Sequence, residues 1–133
     1  MREINISIYD DKSLKSNSKN LGNKLDNGVT KLIFNYDNCS FYGSLTYKYL
    51  ALKNSNLDIF YLVKIPDDYF VLSDFYTKQT GEYELLVILS DSEIIDKDID
   101  NDGINFVSNS IKMTITDNFL NDNFEIKENE EAL

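Results

Sequence analysis

The densest set of oxygen ligands in the chain is Asp98-Ile99-Asp100-Asn101-Asp102-Gly103. It puts side-chain oxygens at the first, third and fifth positions of a calcium-binding loop and glycine at the sixth, a spacing that converges carboxylates on one hard cation. The match then stops. The twelfth position is Asn109 where a bidentate glutamate is needed, the eighth is Asn105 where an apolar residue is usual, and no amphipathic helices flank the run. Asp91, Glu93 and Asp96 deepen the local negative field, as they do in any solvated acidic loop. Asp98, Asp100 and Asp102 are thus a calcium candidate outweighed by the acidic-loop reading, and no cofactor is expected.

Other reactive groups lack partners. Glu82 and Glu84 share one face of a strand, and Asp67 and Asp68 share a turn, so neither pair has the opposed geometry that glycoside hydrolysis requires. The chain contains no histidine and only one cysteine, Cys39, which removes histidine-based triads, histidine-ligated zinc and an internal disulfide. Gly22 and Gly28 lack the spacing and the following lysine of a phosphate-cradling loop. No catalytic residue is assigned, and the chain reads as a non-enzyme.

Aromatic residues are a better resource: nine tyrosines and eight phenylalanines. A tyrosine offers apolar area and a hydroxyl at modest entropy cost, which suits sugar stacking or protein recognition. Tyr47 and Tyr49 share a strand face, Tyr42 precedes them, and Tyr69, Phe75 and Tyr76 gather around loops. These six are the candidate interaction residues. The competing expectation for each is ordinary core packing.

The chain has 133 residues, with 13 Lys+Arg against 23 Asp+Glu and a formal net charge of -10. That is the length of one domain, and 42% hydrophobic residues supply a core able to bury roughly two thirds of the unfolded surface. The acidic surplus repels phosphate backbones, and Arg2 is the only arginine, so nucleic acid is not an expected partner. The N-terminal MREINISIYDDK is too polar for a signal peptide, and the longest apolar run, residues 85–89, is far too short to span a bilayer. A soluble, cytoplasmic protein without membrane insertion is the expectation from the residues alone.

Hydrophobic alternation lays out the elements. Ile4, Ile6 and Ile8 mark a half-buried strand. Residues 10–28, rich in Asn, Ser and Lys, read as a loop or single helical turn pinned by Leu14, Leu21 and Leu25, ending in the turn pair Asn27-Gly28. Thr30, Leu32, Phe34 and Tyr36 then form the face of a well-buried strand. Residues 45–52 and 57–64 read as a hairpin, the second strand covered on most of its surface, and 69–72 as another short strand. Residues 73–80 are a loop or helical turn. Tyr83, Leu85, Val87 and Leu89 share a face of what should be a central strand, and Ile104 through Thr116 supplies a last strand pair joined near Asn109-Ser110. Tyr83, two residues past a turn glycine, reads either as an edge-of-core aromatic or as a tyrosine that bonds back to the preceding loop.

The sum is an all-β chain: an Ig-like antiparallel β-sandwich of seven or eight short strands with one short helical turn. Residues 1–117 form the domain, and 118–133, with Glu125, Glu128, Glu130 and Glu131, are an acidic tail expected to be flexible.

The order of segments resembles the N-terminal domain of phage baseplate upper proteins and related prophage tail or fibre proteins. The resemblance spans about residues 20–120. It is carried by the turn into a short strand at Leu21-Gly22 and Asp26-Asn27-Gly28-Val29-Thr30-Lys31-Leu32-Ile33-Phe34, the glycine-led strand Thr77 to Val87, and the closing run Phe106 to Ile115. It implies an assembly module in a virion tail, attached to other tail or baseplate proteins, present as a homo-oligomer or repeated copy, with residues 29–36 and 111–116 as contact edges. The alternative is a carbohydrate-binding module that uses exposed tyrosines for cell-surface recognition.

Overall fold

The computed structural model describes residues 1–94, 103–118 and 125–128. Among them the chain forms ten strands and one helical turn: β1 (Arg2–Tyr9), β2 (Leu14–Ser16), β3 (Asn20–Asn23), β4 (Thr30–Asn38), β5 (Tyr47–Asn54), β6 (Phe60–Lys64), β7 (Tyr69–Val71), α1 (Asp74–Thr77), β8 (Gly81–Ser90), β9 (Asn105–Val107) and β10 (Ile111–Thr116). Four strands make one sheet in the order β2-β1-β4-β7. The other runs β3-β10-β8-β5-β6, with β9 also on β8. The architecture is an all-β sandwich.

Alternation builds the core. Ile4, Ile6, Ile8, Leu32, Phe34 and Tyr36 of the first sheet meet Leu50, Leu52, Leu85, Val87, Leu89, Met113 and Ile115 of the second in one buried cluster. Each set comes from alternate positions of its strand, because successive side chains on a strand point to opposite faces. Arg2 links the sheets at one flank, its guanidinium donating to the Asn20 carbonyl at 2.9 Å and to Thr30 Oγ1 at 3.2 Å.

The sheets are mixed, which corrects the expectation of uniformly antiparallel pairing. β1 runs parallel to β4, and β10 parallel to β3. The reason is the connection: residues 10–28 pass through β2 in the first sheet and β3 in the second, and so bring β4 back beside β1 in the same direction. Those residues are therefore not a simple loop. Leu14 and Leu21 are buried on short strands, while Leu25 stays exposed. Gly22, at φ 135°, has an approach that suits only glycine, since an added Cβ would lie 2.8 Å from Asp26 Oδ2.

Three further expectations change. The closing strands β9 and β10 do not pair with each other; both lie along one side of β8, separated at residues 108–110. β6 begins only at Phe60, has no fully buried residue and forms a sheet edge. The proposed contact edges are interior, because β4 lies between β1 and β7 and β10 lies between β3 and β8. The expected helical turn is α1, and the expected central strand is β8, paired with β5 and with β10 and β9.

Candidate functional site

Asp98, Asp100 and Asp102 lie outside the described residues. Among the described residues no three His, Cys, Asp or Glu side chains are grouped to hold a metal, and no helix is long and apolar enough to cross a membrane.

The six aromatic candidates separate into four places. Tyr49 is 3% exposed, and its hydroxyl accepts the Ile94 N–H at 2.9 Å, so it anchors the segment after β8 and offers no recognition surface. Tyr47 is half-buried, with Lys64 Nζ 5.3 Å from its ring centre. Sharing a face with Tyr49 was correctly readable; being covered by the next loop was not.

Phe75 and Tyr76 do come together. Phe75 meets Tyr76 with ring centres 5.0 Å apart, and Tyr61 reaches both, at 5.0 and 5.8 Å. Phe70 adds an edge contact to Tyr76 at 5.4 Å. All four contacts are edge-to-face, an arrangement that ring quadrupoles favour. Tyr69 is not in the cluster; it is exposed, with Lys31 Nζ 4.4 Å over its ring. The cluster closes the gap between β6 and β7, the edge strands of the two sheets. Tyr83 secures it from below: its hydroxyl donates back to the Gln79 and Tyr76 carbonyls. Burial pushes the phenols of Tyr76 and Tyr83 above their ordinary range.

Sequence reasoning missed an apolar groove on the second sheet. The outer face of the six-stranded sheet carries a groove of about 250 Å³ lined by Ala51, Phe60, Leu86, Ile88 and Val107, with Lys53 and Glu84 at its rim. Leu86 and Ile88 alternate with the core residues Leu85, Val87 and Leu89, so the groove is the back of the central strand. Phe60 and Val107 are exposed, at 44% and 40%. The signal was present: the run from Leu85 to Leu89 is apolar at every position, where a strand with one wet face alternates. The groove continues to β6, whose outer side has no strand partner among the described residues.

Tyr42 stands elsewhere, at the end of the sandwich where β4, the segment before β5 and the turn before β7 meet. It is 45% exposed and stacks on Tyr36. No protein-family model and no curated protein sequence matches this chain.

Proposed function

We propose that the chain is a non-enzymatic attachment module of a phage or prophage tail baseplate, held in repeated copies by other tail proteins in the virion. The tail context rests on the resemblance in segment order. The attachment role is supported by one observation, the apolar groove on the outer face of β5 and β8 running to β6, whose outer edge has no strand partner among the described residues. An open edge offers backbone donors and acceptors to an added strand, and a neighbouring apolar groove takes its side chains, which is how sheets capture extended segments. A net charge of -10 sets copies of this chain against one another, so the occupant is an extended segment of a different protein, neutral or basic around its apolar residues.

The test is co-expression of the tagged chain with the products of its neighbouring genes, comparing the native sequence with Leu86→Lys. A complex of fixed stoichiometry with a tail component, lost in Leu86→Lys while the variant keeps its near-ultraviolet circular dichroism, is the expected result. Absence of any complex, or one indifferent to Leu86→Lys, overturns the reading.

A further inference from the structure

At the end of the sandwich around Tyr42, separate from the groove, Tyr36, Tyr42, Lys48 and Asp68 come together. Tyr36, on β4, is 6% exposed, and its hydroxyl has no hydrogen-bond partner among the described residues. A buried phenol normally finds a partner, so an orphan of this kind points to a group supplied from outside. Burial, with the Asp68 carboxylate adding to it, holds this phenol well above its ordinary range and keeps it neutral.

Tyr42 lies over Tyr36 with ring centres 4.8 Å apart and planes inclined by 16°. Its hydroxyl donates to Asp68 Oδ2 at 3.2 Å, and Lys48 Nζ donates to Asp68 Oδ1. The same ammonium lies 4.9 Å from the Tyr42 ring centre and 5.7 Å from that of Tyr36. Asp68 is held in the left-handed backbone region at φ 60°, sparsely populated for a residue with a side chain. Strain of that kind gathers at ligand sites. A cavity of about 510 Å³, lined by Asn35, Tyr36, Asp37, Tyr42 and Asp68 among others, opens in front of these groups. That volume suits a small ligand.

Charge decides which ligand. Asp37 and Asp68 outnumber Lys48, so phosphate or a carboxylate is repelled. A cation would have to displace Lys48, which already occupies the position over both rings and pairs with Asp68. What remains is a neutral ring with many hydroxyls: its C–H face packs on a tyrosine, and its O–H groups donate to Asp68, Asp37 and the Asn35 carbonyl oxygen or exchange hydrogen bonds with Tyr36. We infer that this cavity binds a neutral saccharide, an activity beyond attachment through the sheet face.

The experiment is saturation-transfer NMR on the full chain with glucose, galactose, N-acetylglucosamine and N-acetylgalactosamine, and with choline and inorganic phosphate as charged comparators. The expected result is transfer to the ring C–H protons of at least one neutral sugar, at least tenfold weaker binding in Tyr42→Ala and Asp68→Asn, and no change in Leu86→Lys. If Tyr42→Ala fails to fold, Tyr42→Phe, which keeps the ring and loses the bond to Asp68, should bind more weakly than the native chain. Transfer to no neutral sugar, binding unaffected by changes at both Tyr42 and Asp68, or displacement of the sugar by phosphate or choline overturns the inference.

Discussion

The two open flanks of the sandwich are closed by opposite means. Between β6 and β7 the gap is filled by rings, with Tyr61, Phe70, Phe75 and Tyr76 in mutual contact. At the other flank, β2 and β3 carry the closure, and their turns are set by short polar side chains. Asn17 Oδ1 accepts the Asn5 N–H at 2.8 Å, Asn20 Oδ1 the Gly22 N–H at 2.9 Å, and Asp26 Oδ2 the Asn23 N–H at 2.9 Å. Only Leu14 and Leu21 reach the core from there. The ring flank spreads its stabilisation over many partly exposed contacts, whereas the polar flank depends on single buried anchors.

The sharpest test of that contrast is Leu21→Ala. Leu21 is fully buried, so the change should cost about 3 kcal/mol in urea unfolding, the usual range for removing a core leucine. A loss below about 1 kcal/mol would show that β3 is not anchored by this residue. Tyr83→Phe should cost less, about 1 kcal/mol, because it removes a hydroxyl while keeping the ring. No change in the urea midpoint would separate Tyr83 from the ring flank.

pH should then strain the flanks from opposite directions, with smaller effects. Tyr76 and Tyr83 have raised folded-state pKa values, so their contribution is complete below the ordinary phenol value of about 10 and is lost as pH rises through the raised values. Alkaline melting followed by tyrosinate absorbance should show their ionisation together with unfolding. Separate, earlier ionisation of all tyrosines would contradict it. Asp11, in the β1–β2 turn, is lowered first by its side-chain bond with Ser13, so its contribution is complete above the ordinary carboxylate range and is lost as pH falls through the lowered value. Amide exchange at Ser13, corrected for intrinsic rate, should therefore rise in acid before that of the β8 core.

The same contrast explains what could be read from the residues. Runs such as 30–36 and 81–90 were legible because alternation reports burial directly. Strand direction was not, since parallel and antiparallel partners impose the same alternation, and β1 against β4 carries no mark of its parallel pairing. β2 and β3 were hidden because their polar side chains serve the backbone locally and look like loop composition. At the candidate sites, Tyr42, Phe75 and Tyr76 were named from their type, but Tyr36, Lys48 and Asp68 join Tyr42 only through tertiary folding. Nothing in their spacing announces it.

The break between β9 and β10 bears on how the chain tolerates changes in length. Before it the inward residues are even-numbered, Phe106 and Ser108; after it they are odd-numbered, Met113 and Ile115. The switch is held by Ser108, whose N–H donates to the Val87 carbonyl at 2.9 Å while its hydroxyl accepts the Val87 N–H at 2.9 Å. A single residue lost at 108–110 would bring Phe106 and Met113 to an even separation, so β9 and β10 would run as one regular strand along β8 with Phe106, Met113 and Ile115 all still facing the core. Single-residue deletions in descendants of this sequence should therefore be tolerated at this one-residue frame shift as well as in the exposed turns.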